Sequence, residues 1–172
     1  MTHMAPPSLE DRRDAGAHSA DALSDEARGA AEVSAWADRA RRAPDVGRVA
    51  DMLAMTWAEI DTVLQPVIGP GGVAALYKRS LFLAAAAHPW LVDACQTADA
   101  AMDTTSVKAS LAAPRPAEAV AAGSLMLLQF HQLLASLIGP SLTVRLLHAV
   151  VAEAEIKGDG TAGTARKTGG PA

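Results

Sequence analysis

This sequence predicts an all-α protein, a helical bundle built from two helix–Ile-Gly-Pro–helix hairpins. Half of its 172 residues are apolar but only 3% are aromatic, so alanine and leucine, both strong helix formers, supply most of the bulk. Runs rich in Val, Ile, Thr and Tyr, which mark strands, are nearly absent. One unit also occurs twice at an offset of 70 residues: Trp57, Ile60, Leu64, Ile68-Gly69-Pro70 and Leu76 correspond to Leu127, Phe130, Leu134, Ile138-Gly139-Pro140 and Leu146. Gly after a helix and Pro at the start of the next are common. A true duplication and a chance reuse of the same punctuation therefore both stand, and either gives two antiparallel helix pairs.

Residues 1–44 read as a flexible N-terminal region with a weak helix. Residues 1–23 show no apolar period. The weak helix runs from Asp25 to Arg42, with Ser24 as cap and Asp25 and Glu26 in its first turn. Its apolar face is mostly alanine plus Leu23, Val33 and Trp36, so it is expected to dock only loosely. Arg39, Arg41 and Arg42 fall in its last turn, where cations complement the helix dipole.

The bundle domain is expected over 45–156. Asp45 caps a helix whose stripe is Val46, Val49, Leu53, Trp57, Ile60, Leu64 and Val67, recurring at three- and four-residue steps. Gly69 ends that helix and Pro70 opens the next. From Gly71 to Ala87 the only charges are Lys78 and Arg79, and Ser80–Ala87 is apolar all round. Such a helix is central in its bundle or covered by a partner. His88 before Pro89 is disfavoured in helical geometry, so the chain breaks there and restarts to about Ala101.

Asp103 is the expected cap of a short helix over Thr104–Ala112. Pro114-Arg115-Pro116 is a stiff connector, and Pro116 opens a helix to about Leu137 with Val120, Gly123, Met126, Leu127, Phe130, Leu133, Leu134 and Leu137 on its apolar face. The last helix starts near Pro140 and buries Leu142, Leu146, Leu147, Val150 and Val151. Residues 157–172 have the composition of a disordered, linker-like tail.

Composition also narrows the function. A net charge of −4 offers no basic footprint for nucleic acid. Cys95 is the only cysteine, so no intrachain disulfide forms and a reducing cytoplasm is expected. The N-terminus shows no basic stretch followed by an apolar one, hence no secretory signal. Residues 119–144 carry no Asp, Glu, Lys or Arg and are long enough to span a bilayer. Gln129, His131, Gln132, Ser136, Gly139 and Pro140 interrupt them, and no membrane span is expected.

No chemistry is written in local motifs, and the reading is non-enzymatic, with no catalytic residue. There is no Gly-x-Ser-x-Gly elbow, and Cys95 lies seven residues past His88 across a proline break, which suits an inert buried thiol. No His pair has the three- or four-residue spacing of helical metal ligands. Asp99 and Asp103 lack a His partner, and His88 with Asp93 is one pair, so no metal is expected. Neither His131 nor His148 is followed by the helper lysine and glycine of a phosphotransfer histidine. Gly69–Gly72 follows a helix rather than a strand, which makes it a turn and not a phosphate loop.

The function expected is a cytoplasmic regulatory or adaptor domain that binds another protein or itself, most simply as a homodimer. Under the 70-residue offset Lys78 corresponds to His148. Tyr77, Lys78, Arg79, Arg145 and His148, with Trp90 at a helix start, form the candidate interaction surface for an acidic partner. The alternative is a sensor holding haem or a small apolar ligand between the hairpins, lined by His131, His88, Trp57 and Phe130. If two hairpins close on one core, Leu64→Ala and Leu134→Ala each lower unfolding stability by ~2–5 kcal/mol in denaturant titrations.

Overall fold

The apolar stripes fold into six α-helices among the described residues. The structure is a computed structural model that describes residues 9–97, 104–111 and 114–159. Helix α1 spans Leu9–Arg41, α2 Val46–Ala87, α3 Val92–Thr97, α4 Thr104–Leu111, α5 Pro116–Ile138 and α6 Pro140–Asp159. A 3-10 turn covers Pro89–Leu91, and no strand occurs among these residues.

Local chemistry accounts for the helix ends. Asp45 accepts a hydrogen bond from the Arg48 amide at 2.8 Å and so caps α2. Pro116 sits in the first turn of α5, and the Glu118 carboxylate accepts from the Arg115 amide at 3.4 Å. Helix α2 stops at Ala87, because His88 precedes a proline and takes φ −127°, ψ 81°.

The two Ile-Gly-Pro corners share a backbone conformation. Gly69 has φ 74°, ψ 162° and breaks α2 into two helical segments. Gly139, between α5 and α6, has φ 89°, ψ 151°. Essentially only glycine enters this region, and Pro70 and Pro140 then start the next helical run with no N–H to satisfy.

Helix α5 is the hub, packed against α1, α2 and α6, while α4 lies on α2 and is tied to it by Lys108–Asp51 at 2.5 Å. Trp57 is fully buried at the centre. It meets Tyr77, from beyond the Gly69 break, edge-on at 4.9 Å between ring centroids, and Phe130 of α5 edge-on at 5.0 Å. Leu64 and Leu134 are also fully buried. Helix α5 is long and apolar enough to cross a bilayer, alone in this among the described residues. One face of it, including Val120, Met126, Phe130 and Leu134, is buried in the bundle.

Helix α1 differs most from the sequence reading. It begins at Leu9, so Ser24 is no cap and Asp25 no first-turn residue. It docks closely: Trp36, Ala37 and Ala40 join the core, which therefore begins upstream of residue 45. The cause is small-residue packing. A Cβ on Gly29 would lie 2.1 Å from the His131 ring, and one on Gly123 would lie 2.6 Å from the Trp36 ring. Two missing side chains let α1 and α5 approach, and each gap receives a ring from the other helix.

Other expected core positions lie outside. The segment after Lys78 is peripheral: Ser80, Leu81, Ala84 and Ala85 are buried, but Phe82 is 61% exposed. Leu137 and Leu142, either side of Gly139, are exposed as well, because the apolar stripe of α5 and α6 is wider than the face their neighbours cover. After the 3-10 turn, α3 is described only to Thr97. The expected helix end at Ala101, the Asp103 cap, Ala112, residues 1–8, the tail from 160 and the Val151 side chain fall outside the described residues.

Gly69→Ala and Gly139→Ala meet no neighbour within 4 Å, so backbone strain alone decides their effect. Each is expected to lower unfolding stability by about 1–3 kcal/mol. A neutral effect in chemical denaturation would show that the corners tolerate another backbone.

Candidate functional site

The seam between α1 and α5 holds two buried ring nitrogens without a hydrogen-bond partner, and Trp57 Nε1 on α2 is a third among the described residues. His131 is 4% exposed, and its Nε2 is buried with no hydrogen-bond partner. Trp36 is 3% exposed, and its Nε1 is likewise buried without a partner. Such groups are rare in folded proteins, because a lost hydrogen bond costs about 1–3 kcal/mol.

His131 separates two openings. On the inner side, a cavity of about 50 Å³ lies among α1, α2, α5 and α6. Ile60, Leu127, Leu147 and Val150 line it together with the Trp36, Phe130 and His131 rings, and Glu32, Arg39 and Thr56 supply its polar margin. On the outer side, a groove of about 590 Å³ runs between α1 and α5, past Leu23, Ala27, Leu128 and Ala135, with Glu26 and Gln132 on its wall.

Burial sets the protonation of this region. Desolvation lowers the His131 pKa from its ordinary 6.5, opposed by the negative charge of Glu26. Desolvation raises the Glu32 carboxyl above its ordinary 4.5, opposed by His148 of α6. The ring of His131 is therefore neutral at pH 7.

A third polar point ties α1 to α6. Asp25 is buried, yet it accepts from Ser141 in the first turn of α6 at 2.6 Å and from Arg28 at 3.0 Å. A carboxylate there also faces the positive end of the α6 dipole. Arg145 and Ser24 complete the walls of a cleft of about 320 Å³ around it.

The residues singled out in the sequence scatter over several places. Tyr77 is not on the surface; it is fully buried, because Trp57 needs a ring on the far side of the Gly69 break. Lys78 and Arg79 border a cleft of about 420 Å³ with Phe82 and Cys95, and Arg79 stands 5.7 Å from the Phe82 ring centre. Trp90 is half-buried against the core and lies 5.9 Å from the His88 ring. Arg145 borders the Asp25 cleft, and His148 is exposed and faces Glu32. Of the ligand set His131, His88, Trp57 and Phe130, only His131 and Phe130 line the inner cavity. Trp57 stands behind Phe130. At about 50 Å³ the cavity is roughly a third of one that admits benzene.

The sequence reading missed Gly29, Glu32 and the role of Asp25. The available signal was a glycine inside an alanine-rich helix with a tryptophan seven residues on, the spacing of one helix face. Among the described residues no three His, Cys, Asp or Glu side chains converge as a metal site would require. The chain matches no protein-family model, no curated protein and no solved structure.

The lowered His131 pKa has a defined sign. Between its folded value and 6.5, the unfolded chain binds a proton that the folded chain refuses, so stability is full above about 6.5 and is lost as pH falls through that value. Glu32 acts in the opposite sense, adding stability as pH falls toward 4.5. Urea midpoints measured from pH 7.5 to 5.5 are expected to drop, and His131→Phe, which removes the buried nitrogen, should flatten the drop while keeping stability at pH 7.5. An unchanged slope in His131→Phe would place the titration elsewhere.

Proposed function

We propose that this chain is a non-enzymatic helical interaction domain that docks an acidic amphipathic helix of another protein on the second segment of α2 and on α3. The observation that carries the reading is the 61% exposure of Phe82. It lies in an exposed stripe with Ala75, Arg79 and Ala86, at the four- and three-residue steps of a helix face. Cys95 of α3 borders the same cleft, and Val92 of α3 is exposed.

A large aromatic ring flanked by alanines gives a partner helix a shallow trough with one anchor. Lys78 and Arg79 on an otherwise acidic chain favour negative charge in the occupant. Charge also argues against pairing this face with itself, since a two-fold contact would set Arg79 against its own copy. The homodimer expected from the sequence is thus a second outcome of the test. The reading supports no catalytic residue and no cofactor, and it assumes a cytoplasmic location.

A photoreactive phenylalanine analogue at position 82 is expected to crosslink a specific protein in the native host, whereas the same group at the exposed Met55 is not. Arg79→Glu should abolish the crosslink. A product containing two copies of this chain, with light scattering of the purified protein giving twice its mass, would replace the hetero-partner by self-association. Equal capture from positions 82 and 55 would refute the interaction face altogether.

A further inference from the structure

We propose that the end of the bundle carrying the Gly69 and Gly139 corners is a contact surface for a second copy of this chain, joined end to end about a two-fold axis. Phe82 lies twelve residues past Pro70, roughly 18 Å down α2 from this end. The two surfaces are therefore separate, and each stands or falls alone.

The packing places both corners at one end. Leu53 lies 3.5 Å from a Cβ built on Gly123, and Trp57 meets Phe130. Residue numbers thus rise together along the first segment of α2 and along α5, and these run in the same direction to Gly69 and Gly139. Helix α1 runs the opposite way, since Gly29 faces His131 and Trp36 faces Gly123. Leu23 of α1 consequently reaches the corner end, where it shares a groove with Ser136 and Pro140.

The core is open there. Leu64 and Leu134 are fully buried, but the next residues on their stripes, Val67 and Leu137, are 46% and 60% exposed. Leu23 and Leu142 are exposed at the same end. Helix α1 begins at Leu9, so its first fourteen residues continue about 20 Å past the corners.

Charge selects the occupant. Residues 62–77 and 119–144, which form both corners, contain no Asp, Glu, Lys or Arg. A two-fold contact made by these segments opposes no like charges and needs no complementary partner, because an apolar surface fits its own copy. A bilayer fits less well. Interfacial anchors carry Trp or Tyr, and neither 62–76 nor 131–147 holds an aromatic residue. Area sets the strength. Four helix ends about 10 Å across cover on the order of 400 Å², half of what one partner buries in a standard interface. The leading turns of α1 lie beside the second copy in such a pair and add to that area. The product is a weak dimer with a midpoint on the order of 100 µM.

Sedimentation velocity of the purified full chain tests this from about 1 to 500 µM, a range that brackets that midpoint. The mean mass is expected to rise from one chain toward two. Leu137→Lys and Leu142→Lys each set a lysine in the contact and should weaken association at least about ten-fold. Circular dichroism should show both variants folded, and if one is not, the other decides. Met55→Lys, at an exposed apolar position away from this end, should associate as the unmodified chain does. A photoreactive phenylalanine analogue at position 137 should join two chains, and the same group at position 55 should not. A mass of one chain at the highest concentration would overturn the proposal, as would association that survives both lysine variants. Flotation of a single-chain species with phosphatidylcholine vesicles, lost in Leu137→Lys, would replace the second copy by a lipid surface.

Discussion

The contact on which the rest of the molecule depends is the one Trp57 makes with Tyr77 and Phe130. Twenty residues separate Trp57 from Tyr77, which on one unbroken helix would place them about 30 Å apart. They meet with ring centroids 4.9 Å apart because Gly69 allows a backbone turn closed to other residues. Phe130 then docks α5 against Trp57 of α2. Edge-to-face aromatic pairs contribute about 0.5–1.5 kcal/mol beyond area burial. With six aromatic residues in the chain, committing three of them to one point leaves the remaining core to aliphatic side chains and alanine.

That economy explains the seam with α1. A helix rich in alanine has little apolar area to bury, so it gains by approaching closely rather than by filling space with large side chains. Gly29 and Gly123 make the approach possible, and the His131 and Trp36 rings occupy the gaps. The consequence is that two ring nitrogens at this seam are buried without a hydrogen-bond partner. Close backbone packing and complete polar satisfaction compete here, and packing wins. The cavities beside His131 and Asp25 lie along this one helix.

The fold class was legible because it rests on local signals. Asp45 as cap, the break at His88, the Pro116 start and the glycines of both corners each act through nearby backbone. The apolar stripe of α2 correctly marked Val49, Leu53, Trp57, Ile60 and Leu64 as buried. The candidate site was much less legible. His131 and Phe130 were visible as neighbours on α5, but Glu32 and Trp36 lie about a hundred residues away in sequence and reach the cavity only through packing. Tyr77 was misread as a surface residue because its neighbours Lys78 and Arg79 are charged. Its burial depends on Trp57 across the corner, which no window around residue 77 contains.

The sequence by itself determined the start of α2, the break at His88, the start of α5 and both glycine corners, because capping, proline and glycine act over a few residues; the start of α1 it did not mark. It also determined that the core would be aliphatic and short of aromatic rings. Only the tertiary structure decided which apolar faces are covered. Phe82, Leu137 and Leu142 carry the same hydrophobic signal as buried residues, yet among the described residues no helix covers them. Periodicity reports that a face is apolar; what packs against it depends on helix positions set by contacts distant in sequence. The same reason made α1 a core element rather than a loose arm, since its docking rests on two absent side chains whose partners stand on another helix.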